Sequence, residues 1–246
     1  MDRALINFLN HGLLPFTGRK AELEQVLRFW RQTFDAHGLR TMMLVGEAGV
    51  GKSRLAEEAA SQISLAGGVV MQARFYPDAA TPLPALLARA VSRNQAAQQL
   101  LKSDPEETLS GVVSAIIRIC GLRPTLLVLE DAHVLHGDGV SELAPLLERL
   151  ADEPLSILLT ARPVTLAARG LIERFLVDEL HLTGISESDI AAMCTEIFGS
   201  NSLDQSAIRT LAEKTLGNAN GGPVRLAWCG PPGPIGGGAR RCQRCH

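Results

Sequence analysis

The sequence predicts an α/β fold in which helices flank a central parallel sheet, followed by the start of a small helical lid. Between residues 40 and 162 short apolar runs alternate with longer stretches of helical period, and past Gly184 the strand-like runs stop. Several of the runs are apolar at every position, the pattern of strands covered on both faces. Strand, helix and strand repeated in this way imply parallel strands joined by crossovers. The chain of 246 residues has room for one large or two small domains. With 46% hydrophobic and 20% charged residues it is no disordered, collagen-like or coiled-coil chain. Lys+Arg 24 against Asp+Glu 26 gives a net charge of −2, which disfavours binding nucleic acid by bulk charge. No apolar run approaches the ~20 residues of a membrane helix, and the first 16 residues lack an export cleavage pattern, so a cytoplasmic location is expected.

Strands are predicted at residues 42–45, 69–75, 125–129 and 155–160, with a fifth near 175–182. Helices are predicted at 52–66, 83–101, 106–120 and 140–151. Ser186 followed three residues later by Asp189 makes a capping-box-like start for a helix over 186–198, and 203–216 has a second helical pattern. The resulting division is a core over 1–183, a partial lid over 184–220 and an irregular tail over 221–246. Cys120 and Cys194 fall in apolar helical patterns, where a free thiol serves as a small hydrophobe.

Directly after the first strand come Gly46, Glu47, Ala48, Gly49, Val50, Gly51, Lys52 and Ser53, a full GxxxxGK[ST] match that runs into a helix. Glycines let consecutive amides turn inward around phosphate oxygens at the positive end of that helix. Small Val50 leaves the anion unobstructed, Lys52 supplies a point charge for the β and γ phosphates, and the Ser53 hydroxyl is a ligand for Mg²⁺. The fold expected is therefore a P-loop NTPase with ATP and Mg²⁺ as its ligands. Such a site needs carboxylates near the metal and the attacking water. The run 125–129 delivers Glu130 and Asp131 where it leaves the sheet. By order along the strand Glu130 falls to the metal and Asp131 to the water, although the two roles are interchangeable at this level. Thr160 or Arg162, at the end of the next strand, is placed to sense the γ-phosphate. His133 and His136 lack a convincing set of further metal ligands.

With these blocks in hand, the chain resembles the ATPase module of STAND and origin-recognition-complex-like AAA proteins. Such modules occur at the front of LuxR-type transcriptional activators, class III adenylate cyclases and some serine/threonine kinases. The resemblance rests on Phe16, Thr17, Gly18 and Arg19 with Glu22, on Gly46 to Ser53 continuing through Arg54, Leu55, Glu57 and Glu58, on Val128 to His133, and on Leu159 to Pro163. It implies that Gly18 and Arg19 lie beside the nucleotide base and that Arg162 is a sensor. It further implies ATP-dependent regulation of an attached or partner effector protein, with oligomers possible. Two departures stand out: Val134, Leu135 and His136 replace a Trp-Ala-Asp continuation, and Ala219 replaces the proline of a Gly-Asn-Pro block at Gly217 and Asn218.

From 221 onward 26 residues carry seven Gly, four Pro, three Cys and four Arg, with no Asp, Glu or Lys. That composition cannot build a core, and it fits an out-of-frame reading of a GC-rich gene, hence a shortened member whose lid is cut off. Cys242, Cys245 and His246 match a CxxCH haem-attachment pattern, but no export signal or axial partner accompanies it, and three terminal ligands make a poor zinc site. The leading expectation is an ATP-binding regulatory NTPase that hydrolyses slowly. The alternatives are a nucleotide-dependent interaction module without turnover, a DNA-handling AAA protein, for which no basic stripe is present, and a small-molecule kinase.

Overall fold

The computed structural model describes residues 16–35, 38–77, 81–135, 137–163, 167, 169–198, 206 and 208–210. In chain order these form α1 (Lys20–Asp35), β1 (Arg40–Val45), α2 (Lys52–Leu65), β2 (Val69–Arg74), α3 (Leu83–Arg93), α4 (Gln95–Leu101) and α5 (Leu109–Cys120). Then follow β3 (Thr125–Glu130), a 3₁₀ turn (Ala132–Val134), α6 (Asp138–Arg149), β4 (Leu155–Ala161), α7 (Arg169–Glu173), β5 (Leu176–His181) and α8 (Glu187–Phe198). The five strands form one sheet in the order β2-β3-β4-β1-β5, and all pairings are parallel. The α/β class and all five expected strands are present. His136, residues 217–220 and the tail from 221 lie outside the described residues, as does most of the predicted helix 203–216. Among the described residues no helix is long and apolar enough to cross a membrane.

Sheet periodicity sorts the core into two layers. Met42 and Leu44 of β1, Leu126 and Val128 of β3 and Leu158 of β4 pack with α1 and α2 on one face. Their neighbours Met43, Val45, Leu127, Leu129, Ile157 and Leu159 pack with α3, α5 and α6 on the other. Every residue of β4 is buried, and of β3 only Glu130 is partly exposed. The apolar runs are thus strands with helices on both faces, as their composition requires. At the sheet edge, β5 is mostly exposed or half-buried and joins β1 with a register irregularity beside Thr41 and Met42.

Three helical features depart from expectation, the shortest being α7, which was not anticipated. The stretch 83–101 is broken at Asn94, which is extended at φ −89° and ψ 113°. Its side chain accepts from the Ala97 amide at 2.8 Å, capping α4, and donates to the Val70 carbonyl at 2.7 Å, tying the break to β2. Helix α1 was not expected. Its buried Leu23, Val26, Leu27 and Trp30 recur at helical spacing and close the sheet face over α2. The predicted cap of α8 is fully reciprocal: the Asp189 amide donates to Ser186 Oγ at 3.1 Å, and the Ser186 amide donates to Asp189 Oδ2 at 3.3 Å.

Candidate nucleotide site

Four strands deliver chemistry to the C-terminal edge of the sheet, where open parallel sheets bind ligands. From β1 the chain passes into Gly46, whose amide donates to the Ala161 carbonyl at 3.2 Å, holding the loop level with the end of β4. A Cβ at Gly46 would lie 2.5 Å from the Leu182 carbonyl oxygen, so no side chain fits there. Gly49 and Gly51 take φ values of 81° and 98°, in the left-handed region that favours glycine. Glu47 and Ala48 face outward, whereas Val50 turns inward and joins the core under α1 and α2, so it anchors the loop. Gly51 caps α2 without a side chain, which leaves the first helical amides directed at the loop's concavity.

Lys52 is buried, and its ammonium donates to the carbonyls of Gly46 at 2.7 Å and Glu47 at 2.8 Å. An ammonium has three donors, so one remains for an incoming anion. Burial lowers the Lys52 pKa; Asp131 opposes that shift and Arg162 adds to it. Arg162 is therefore within electrostatic reach of the loop, on an exposed position just past β4.

Glu130 ends β3, and its Oε2 accepts from Ser53 Oγ at 2.5 Å. This joins residues 77 apart in sequence and sets two hard oxygen donors side by side, the donor type that Mg²⁺ takes. Asp131 follows in the left-handed conformation, φ 59° and ψ 39°. Its amide donates to Thr160 Oγ1 at 3.0 Å, and Thr160 is almost wholly buried. Because β4 lies between β1 and β3, Thr160 stands between the loop strand and the acidic strand. Here it fixes the Asp131 backbone. His133 Nδ1 lies 3.9 Å from Asp131 Oδ1, and burial lowers the imidazole pKa against the pull of that carboxylate.

Arg74, which the sequence reading did not single out, closes the acidic side. It ends β2 in register with Glu130. Its Nη2 donates to Glu130 Oε2 at 2.6 Å and to Ser53 Oγ at 3.1 Å, while Nε lies 3.3 Å from Asp131 Oδ2. Burial alone lowers the guanidinium's pKa, but the two carboxylates outweigh it and the net shift is upward. The only signal in the sequence was a basic residue at a strand end, and it acquires meaning only once β2 is paired with β3.

On the opposite wall, Arg19 reaches across the loop. Its Nη2 donates to the Val50 carbonyl at 2.8 Å and also to the Thr183 carbonyl in the connection from β5 to α8. Glu22 pairs with it at 3.5 Å, and burial lowers its pKa against the pull of Glu22 and Asp189. Gly18, at φ 74°, permits close approach of α8: a Cβ there would lie 2.6 Å from Asp189 Cγ. The structure thus brings Gly18, Arg19, Lys52, Ser53, Glu130 and Asp131 around one loop.

Solved structures with the same fold include the ORC2 protein of Aeropyrum pernix, determined as ADPNP-ADP complexes. It is 16% identical, with 87% of this chain and 60% of that one covered and a TM-score of 0.63. Cdc6p from Pyrobaculum aerophilum matches at 14% identity over 85% of this chain and 58% of that one, with a TM-score of 0.59. Drosophila ORC bound to DNA matches at 16% over 87% and 54%, with a TM-score of 0.58. The chain therefore spans somewhat more than half the length of these structures. No curated protein matches it in sequence. Residues 15–159 match the AAA ATPase domain family, and that span takes in α1, the phosphate loop and the acidic strand. The chain belongs to the AAA ATPase domain family.

Proposed function

We propose that this chain is a regulatory module that binds Mg²⁺·ATP and hydrolyses it slowly, the nucleotide state setting the position of the lid. The observation that carries the reading is the meeting of Ser53 Oγ with Glu130 Oε2 at 2.5 Å beside a buried Lys52. Bound Mg²⁺ would neutralise charge on the β and γ phosphates. Ser53 and Glu130 are the groups to hold it. The loop amides from Gly46 to Ser53 cradle the phosphates, and the remaining Lys52 donor takes a β or γ oxygen. Asp131, its backbone tied to Thr160, orients the attacking water, and Arg162 lies near enough to answer charge on the γ-phosphate. Gly18 and Arg19 carry the coupling to the lid, because one guanidinium spans the phosphate loop and the Thr183 carbonyl.

A non-hydrolysing interaction module is the second reading. It is favoured by Arg74, which engages both carboxylates and so restrains the group that should direct water. The effector would be a protein domain, attached or in trans. Nucleotide titration alongside phosphate release decides between the two. Mg²⁺·ATP binding with slow, measurable release supports the switch, binding without release supports the interaction module, and absence of binding defeats both.

A further inference from the structure

We propose that Arg74 is a built-in cation that competes with Mg²⁺ for Ser53 and Glu130, so that metal loading requires this side chain to move aside. The inference rests on the reading of the site as a Mg²⁺·nucleotide site. Its basis is a coincidence of ligands. The oxygens that Arg74 Nη2 contacts, Glu130 Oε2 at 2.6 Å and Ser53 Oγ at 3.1 Å, are the pair best suited to hold the metal. A guanidinium and a divalent cation cannot both occupy the space between those two oxygens.

The same residue has a place to go. A cavity of about 780 Å³ opens on the β2 side of the site, and Arg74, Glu130, Phe75, Tyr76, Leu86 and Val134 all contribute to its wall. Arg74 is 41% exposed, so swinging away from Glu130 toward that space costs it little desolvation. Its Nε, by contrast, is buried without a hydrogen-bond partner even while Asp131 stands 3.3 Å away. On that side the guanidinium is held by charge without a hydrogen bond, the looser of its two carboxylate contacts. Two states follow. With the guanidinium on the acids their charge is compensated without metal; with Mg²⁺ in place the guanidinium faces the cavity.

The expected consequence is a muted metal dependence of ATP binding. Compensated carboxylates repel metal-free ATP less, and Mg²⁺ must displace a cation before it binds. Removing the guanidinium works on both sides of that balance, weakening ATP binding without metal and strengthening it with metal. The test is the ratio of ATP dissociation constants in EDTA and in saturating Mg²⁺, measured on the full chain with a fluorescent ATP analogue. Arg74→Ala should raise that ratio about tenfold or more, each tenfold being ~1.4 kcal/mol of coupling, whereas Arg74→Lys, which keeps the charge, should raise it less. A ratio that is unchanged or lower in Arg74→Ala overturns the proposal. If Arg74→Ala does not fold, Arg74→Gln, which removes the charge but keeps most of the side chain's length, takes its place in the same ratio with the same two outcomes. ATP binding that is undetectable in both media defeats the underlying site reading as well, which separates the two failures.

Discussion

The two walls of the phosphate loop are built by different means. On one side stand β3 and β4, whose buried residues lock Glu130, Asp131 and Thr160 to the centre of the sheet. On the other stand β5 and α8, an exposed edge strand and a helix tied to this side by Leu182, buried in one cluster with Val50, and by polar groups: Arg19 to Thr183, and Asp189 beside Gly18. A wall set in apolar packing is stiff, because protein interiors are close-packed and resist small displacements. A wall held by a guanidinium, an edge strand and few buried side chains can shift with less loss of buried area. On the proposed function, the comparison assigns the groups that would hold water and metal in register to the stiff wall, and a lid that would answer nucleotide to the other.

The largest expected effect lies on the stiff wall. Asp131→Asn should lower phosphate release by about 10² to 10⁴ while leaving ATP affinity near wild type, since a group that orients water acts mainly in the transition state. Turnover assays beside an affinity titration check this. If Glu130→Gln shows that pattern instead, the two acids exchange roles. Next comes Gly46, where the walls meet. Gly46→Ala pushes a methyl to 2.5 Å from the Leu182 backbone oxygen, and overpacking of this kind costs about 1–3 kcal/mol. Chemical denaturation should register it as a lowered midpoint. The smallest effect belongs to the lid wall: Asp189→Ala removes half of the reciprocal cap of α8 at a cost of about 1 kcal/mol. Hydrogen exchange should show faster opening of α8 with β1, β3 and β4 unchanged. Equal loosening of both walls would erase the distinction.

How much of this was legible in the sequence depended on how local the signal was. Four of the strands stood out because apolar runs bounded by turn residues need no partner to be recognised, β5 being broken by Asp178, Glu179 and His181, and the phosphate loop stood out because eight consecutive residues carry its chemistry. The cap of α8 was readable for the same reason, its two members lying three residues apart. Helix α1 was overlooked although Leu23, Val26, Leu27 and Trp30 have the right spacing, since Lys20, Glu22, Glu24 and Gln25 dilute the apolar pattern. The break at Asn94 depends on the Val70 carbonyl, 24 residues away, and was invisible. Arg74 and Arg19 carry the same lesson further. One acts on Glu130, 56 residues on, and the other on Val50 and Thr183, 31 and 164 residues on. Arg74, a single arginine at a strand end, has no distinguishing pattern until the sheet order β2-β3-β4-β1-β5 sets its neighbours, and Arg19, marked only through the resemblance, shows its reach to Thr183 only in the fold.

The central claim, that the loop from Gly46 to Ser53 holds the nucleotide phosphates, is most directly tested through Lys52. Its ammonium already sits at the loop mouth, bonded to the Gly46 and Glu47 carbonyls, so removing it takes away a charge-assisted contact worth about 1.5–3 kcal/mol. Thermal unfolding with and without Mg²⁺·ATP, on wild type and Lys52→Ala side by side, is the measurement. The account predicts a clear ATP-induced rise in Tm for wild type, and for the variant a rise much diminished, matching at least a tenfold loss of affinity. An equal rise in the two proteins would contradict it and place the nucleotide elsewhere.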